Sequence, residues 1–413
     1  MNKEINNRKY VFLSYGIGGV GGGQNYLRNR SELYKEEGYK VYLAYTLYDP
    51  KCDFWVFDAV KRIQAIGQPI NIFGKWYINR VINQFMNLID YHEGDDIIIE
   101  SNNKYIAFWG EMFANACHGK HFFYILGEND IINNHFENVF FGFKLDRKEI
   151  AGIHQDSIKK FFSKFRMIEN SDSYHINATA QICFKNYCVP QLEGLSVCDY
   201  SIGLLSRLDK PFVIPTLIDL IVFFDEHKEK KFNLIIVGDG NEIIVQKIKK
   251  LYNEIDNVNL IFTGAIEPLP TQYPELCDVC IGTSGCAWMT HMYGRITVSI
   301  DGEDFKPIGV LGHTTENRLF RLKEPIIELN VILNQILFEK KYPISHQPIK
   351  SESLREDNHK LHHDYILRSS KEKQYFDLGS YKKVSTNGIK FIIKRAFEDL
   401  IGSRLYYKIA GKL

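Results

Sequence analysis

Apolar positions fall into short runs separated by amphipathic stretches. Asp96-Ile97-Ile98-Ile99-Glu100 and His121-Phe122-Phe123-Tyr124-Ile125-Leu126 are continuous β-branched or aromatic runs, which predict strands buried on both faces, as in a parallel sheet. Upstream, Tyr10 to Tyr15 predicts a strand, Gln24 to Glu37 a helix ending at Gly38, and Lys40 to Tyr45 a second strand. Strand, helix, strand is the parallel crossover unit. The pattern is less regular from about Asn129 to Val197, with one predicted helix at Asp156 to Phe165. Pro190 to Ser196 then interrupts it, where a domain crossing is expected.

Alternation resumes in the second half. Tyr200 to Leu205, Asn233 to Val237, Val258 to Thr263, Val279 to Gly282 and Thr297 to Ile300 read as strands. Pro215 to Glu229, Asn241 to Ile255 and Ala287 to Tyr293 read as helices, the last closed by Gly294. This is a doubly wound sheet, and such sheets bind ligands at the carboxyl ends of their strands. Pro343 to Lys373 is polar and His- and Lys-rich, a loop-and-helix excursion. Gly379 to Leu413 then interleaves eight Lys or Arg with large apolar residues. The expected domains are therefore 1–195 and 196–345, with 346–413 as the excursion and a basic amphipathic C-terminal helix packing back across both.

With 413 residues the chain exceeds one ordinary core and suits two domains. A formal net charge of +1 offers no global attraction to nucleic acid, so none is expected as a partner. The eight cysteines lie mostly in apolar runs and read as reduced thiols of a cytoplasmic protein. Cys277 and Cys280 form one Cys-x-x-Cys without a second pair at zinc spacing, so no metal is expected. Met1 to Lys9 is polar and carries no secretory signal, and no apolar run approaches the ~20 residues that span a bilayer.

The candidate chemistry sits at strand ends. Arg207 offers a planar fork that stays charged and Lys210 a point charge three residues on, two donors suited to a diphosphate. Gly238-Asp239-Gly240 permits a sharp turn that points the next helix N-terminus outward. Thr263-Gly264 follows the third strand, and Thr283-Ser284-Gly285-Cys286 opens the helix after the fourth, exposing amides to an anion. Near the start, Gly16 to Gly23 is a glycine-rich turn after the first strand. Single turns of this kind are common caps; their repetition in one α/β unit points to a nucleotide.

This order resembles the C-terminal domain of the GT-B glycosyltransferases of the family 4 type. There a strand ends in Gly-Arg-Leu, an Arg and a Lys grip the donor diphosphate, and Val-Gly-x-Gly, Phe-x-Gly and the sugar-nucleotide segment follow. The matching residues are Ser206-Arg207-Leu208, Lys210, Val237-Gly238-Asp239-Gly240 and Phe262-Thr263-Gly264. The resemblance implies two Rossmann-like doubly wound domains facing a cleft and a donor contacted by Arg207, Lys210, Gly238, Asp239, Gly240, Thr263, Gly264, Ser284, Gly285 and Cys286. It also implies an acceptor loop at Gly18, Gly19, Gly22, Gly23 and Gln24. Glu128 is the preferred candidate base, with Glu100 a second acid on the acceptor side and His175 a weaker one.

The chain departs from the family in one segment. The family places two glutamates eight positions apart there, whereas Ser284 to Gly294 contains no acid, and Gly294 to Val298 lacks the proline. Asp301 to Gly309, with Lys306, is a charged turn that competes for that role.

The expected function is metal-independent transfer of a sugar, hexosyl by resemblance, from a nucleotide-diphosphate donor to a saccharide or lipid-linked saccharide. The implied setting is surface polysaccharide synthesis, such as O-antigen or capsule, with 379–413 resting on an anionic membrane surface at its cytoplasmic face. Two other readings stand beside it. Gly16-Ile17-Gly18-Gly19-Val20-Gly21 matches the dinucleotide fingerprint of an oxidoreductase, but the second strand ends in Ala44-Tyr45-Thr46 without the acid that holds a ribose. The absent glutamates also suit a non-catalytic nucleotide-sugar binder.

Overall fold

The computed structural model describes residues 7–16, 22–47, 56–127, 130–154, 156–178, 184–193, 195, 197–266, 269–343, 351–369, 374–380, 389–394 and 396–397. It divides into two compact units, Met1–Gln181 with Glu352–Leu413, and Ile182–Ser351. The division falls ahead of the 195/196 boundary read from the sequence, and the C-terminal stretch goes with the first unit.

The first unit runs β1 (Arg8–Gly16), α1 (Gly22–Glu36), β2 (Lys40–Leu47), β3 (Ala59–Arg62), α2 (Lys75–Leu88), β4 (Asp96–Ser101), α3 (Lys104–Cys117), β5 (Lys120–Ile125), α4 (His135–Asp146), β6 (Ile150–Gly152) and α5 (Ser157–Phe162). Its strands form one parallel sheet in the order β3-β2-β1-β4-β5-β6. Chain order reverses between β1 and β4, the switch point of a doubly wound sheet. Both faces are covered. Val11, Leu13, Ile97 and Ile99 point into one apolar layer with Trp109 and Phe113, while Tyr10, Phe12 and Ile98 point into the other with Tyr26 and Tyr34.

The second unit runs β7 (Phe184–Lys185), β8 (Tyr200–Leu205), α6 (Val213–Glu226), β9 (Phe232–Val237), α7 (Glu242–Tyr252), β10 (Val258–Gly264), β11 (Leu269–Pro270), α8 (Gln272–Leu276), β12 (Val279–Gly282), α9 (Ser284–Met292), β13 (Thr297–Ile300), β14 (Pro307–Val310) and α10 (Leu329–Leu337). Its main sheet has the order β10-β9-β8-β12-β13-β14, parallel except for the antiparallel pair β13/β14. β14 is a strand where the sequence shows a charged turn, because Pro307 to Val310 are buried beside β13. All six residues of β9 are buried, as a central strand of a two-faced sheet requires. The switch point lies between β8 and β12.

α11 (Ser351–Arg368) then returns to the first unit. Most of the basic stretch 379–413 lies outside the described residues. Residues 389–394 and 396–397 are helical; Phe391 meets the ring of Phe73 at 5.4 Å, while Ile389 and Ile393 are exposed. No described helix is long and apolar enough to cross a membrane.

Candidate functional site

In the second unit three strand-end turns are tied into one edge. Ser206 N donates to Val237 O at 3.0 Å, Leu208 N to Asp239 O at 2.9 Å, and Gly238 N to Gly264 O at 3.0 Å. Gly238 has a φ of +150°, and a Cβ there would lie 1.7 Å from Ser206 O, so only glycine lets the β9 turn close on the β8 turn. Gly240 lies as tightly, since its Cβ would come 2.7 Å from Leu208 Cβ. Asn241 caps α7 by accepting from Ile244 N at 2.9 Å.

Arg207 and Lys210 stand exposed on this edge. The Arg207 fork donates to both carboxylate oxygens of Asp209, at 3.1 and 3.2 Å, and both side chains are more than half exposed. Such a pair is weakly held, and a doubly charged phosphate group competes with it. Both cations also act on Cys286, across the switch point at the start of α9. Burial pushes the Cys286 thiol up to about 11, and Lys210 and Arg207 pull the other way. A thiol so held is protonated near neutral pH.

Two donor-side expectations change. The Thr263 hydroxyl is buried and donates to Gly264 O at 3.0 Å, so it faces the backbone and not a ligand. Ser284 has a φ of +52°, and its amide donates to Arg318 O at 2.6 Å. That amide is taken by the protein's own chain. Gly285, by contrast, is exposed, and a Cβ there would meet no atom within 4 Å.

Sequence reasoning missed Arg318. Its guanidinium lies 4.4 Å over the ring of Trp288, and burial lowers its pKa. A cation therefore stands beside α9, the helix whose acids are absent. No periodicity or motif in residues 311–320 announces it. Lys306 does not serve there: it pairs with Asp219 at 3.2 Å and Glu328 at 3.0 Å, joining α6 to the segment before α10.

In the first unit, Gly18, Gly19 and Glu128 lie outside the described residues. Gly22, Gly23 and Gln24 form the first turn of α1, and a Cβ on either glycine would meet nothing within 4 Å. Glu100 is not an acceptor-side acid. It is buried at 1% exposure, where its carboxylate accepts from Tyr10 OH at 2.5 Å and Tyr26 OH at 2.6 Å, with Arg30 3.9 Å away. Burial raises its pKa, and Arg30 and the two hydroxyls oppose that. His175 bridges through its backbone to Gly152.

A better-placed acid is Asp130, just beyond the carboxyl end of β5. It is half-buried, and burial lifts its carboxyl above the ordinary range, with Lys104 opposing. In the sequence it lies two residues after Glu128, which drew the choice.

No protein-family model and no curated protein matches the chain. Solved structures do. HepE of Anabaena, solved with UDP and glucose, superposes with a TM-score of 0.54 at 15% identity, over 87% of this chain and 95% of its own. A glycosyltransferase from Rickettsia africae gives 0.54 at 12% identity, over 95% and 99%. The lipopolysaccharide outer core galactosyltransferase WaaB gives 0.51 at 14% identity, over 87% and 99%. The chain has the GT-B fold of two Rossmann-like domains, in a divergent sequence.

Proposed function

On the GT-B fold as premise, we propose that this protein transfers a sugar from a nucleotide-diphosphate donor held by the second unit to a saccharide or lipid-linked saccharide held by the first. The observation that carries this reading is the hydrogen-bonded set of turns after β8, β9 and β10, from which Arg207 and Lys210 stand exposed at the carboxyl end of the sheet. Charge develops on the departing diphosphate as the glycosidic bond breaks. Arg207 and Lys210 would meet that charge as it forms and so stabilise the transition state more than the ground state. Arg318 adds a third positive group beside α9, and Asp130 is the residue suited to take the acceptor hydroxyl's proton. No step in this scheme requires a metal. HepE, solved with UDP and glucose, supports a UDP-sugar donor, and WaaB, an outer core galactosyltransferase, supports a hexose and a surface-polysaccharide acceptor. The exposed Ile389 and Ile393 beside Lys390 suit contact with an anionic membrane surface at its cytoplasmic face.

The absence of acids in α9 favours a second reading, a nucleotide-sugar binder without turnover. Release of free nucleoside diphosphate separates the two. A panel of UDP- and GDP-sugars with oligosaccharide acceptors should show steady release, and Asp130→Asn should cut it by about 10² to 10⁴-fold while donor binding stays. Binding without release in the wild type would establish the binder.

A further inference from the structure

α11 docks on the first unit with its polarity inverted. Leu361 and Leu367 are exposed at 62% and 48%, whereas His359 and His362 are buried at 3% and 0%. Among the described side chains of α11, Ile366 is the one aliphatic residue fully buried. A helix usually docks through its leucines; this one docks through imidazoles. His362 stacks on the ring of Tyr26 at 6.0 Å, with the tilted ring of Tyr124 at 4.6 Å and Phe122 edge-on at 5.5 Å. Both its ring nitrogens are buried without a hydrogen-bond partner.

The charges around these rings favour their neutral forms. Arg30 of α1 is fully buried, with one guanidinium nitrogen 2.8 Å from His359 Nδ1 and the other donating to Tyr34 OH at 2.6 Å. His363 Nδ1 meets Tyr34 OH at 3.2 Å, and Arg355 pairs with Glu32 and Glu36. Facing them, Glu37 lies 3.0 Å from His359 Nε2, and Glu100 of β4, held by Tyr10 of β1, lies 3.7 Å from His362 Nε2. Those two acids would welcome a proton on their partners, yet desolvation and Arg30 prevail. All three histidines are held below the ordinary imidazole range.

We propose that α11 is an acid-released brace on the first unit, docked when His359, His362 and His363 are neutral and released when they take up protons. The sign follows from linkage. Freed from the unit, the three imidazoles would titrate near ~6.5; docked, they titrate lower, so the released form binds more protons below that pH. Release is absent above ~6.5 and grows as pH falls, by up to about a thousandfold per pH unit if all three protons are taken up. The consequence falls on α1, whose first turn carries Gly22, Gly23 and Gln24. Arg30 would lose His359, and Tyr34 would lose His363.

Amide exchange on the full chain at pH 7.5, 6.5 and 5.5, corrected for intrinsic rates, tests this without reference to sugar transfer. Protection of residues 351–368 should fall at least a hundredfold between pH 7.5 and 5.5 while β1, β4 and β5 stay protected. His363→Gln should reduce the pH slope by about a third, and His362→Phe, which removes another of the three sites, should reduce it likewise. Unchanged protection of 351–368, its loss together with the sheet, or an unaltered slope in His363→Gln would overturn the proposal, whether or not His362→Phe folds.

Discussion

Glu100→Ala is expected to destabilise the first unit by about 3–5 kcal/mol, the usual cost of removing one partner from a buried ion pair. The substitution leaves the fully buried Arg30 without its carboxylate and strips Tyr10 and Tyr26 of the acceptor for their hydroxyls. Buried donors without partners add to the loss. At roughly 2–4 °C per kcal/mol for a unit of this size, the melting transition should fall by on the order of 10 °C. Glu100→Gln should fall less, because an amide still accepts from both tyrosines. Thermal unfolding followed by circular dichroism measures both. An acceptor-site role for Glu100 makes the opposite forecast, a stability change within about 0.5 kcal/mol and a raised acceptor KM.

Gly238→Ala is expected to cost about 3 kcal/mol or more and to abolish the nucleotide response of the second unit. Two terms act together. A φ of +150° strains any residue with a Cβ, and that Cβ would sit 1.7 Å from Ser206 O, inside the backbone of the turn carrying Arg207. Relief requires moving the β8 turn away from the β9 turn, which moves Arg207 and Lys210 off the edge. Gly285→Ala is the control, since its Cβ enters open space in the first turn of α9 and should leave stability level or slightly raised. Equal melting temperatures for Gly238→Ala and the wild type would show that the turns are not held as described.

The sequence made the second unit legible because β9, β12 and β13 are buried on both faces and the turns after β8, β9, β10 and β12 carry a glycine or a hydroxyl. Phe232 to Val237 is apolar but for one asparagine, and the glycine that follows is one that packing demands. Turns were found, but which atoms face outward was not. Thr263 and Ser284 carry the expected groups and spend them on Gly264 O and Arg318 O. Arg318 itself lies in a stretch without periodicity, and only the folded chain brings it to Trp288.

The acceptor half was read less well for a physical reason. An acid at a strand end looks the same in sequence whether it points to solvent or toward a neighbouring helix. Glu100 is decided by Arg30, Tyr10 and Tyr26, residues 70 to 90 positions away that share no motif with it. α11 was read as a polar excursion because its buried face carries histidines where the pattern rule looks for leucines. The same inversion makes its docking sensitive to pH.

The central claim is that the edge formed by the turns after β8, β9 and β10 holds a nucleoside diphosphate through Arg207 and Lys210. Calorimetric titration of UDP and GDP into the wild type and into Arg207→Ala/Lys210→Ala tests it most directly. Each charge-assisted contact contributes about 1.5–3 kcal/mol, so the double variant should bind at least a hundredfold more weakly at unchanged melting temperature. Equal affinity in the two proteins, or a wild type that binds neither nucleotide, would contradict the account.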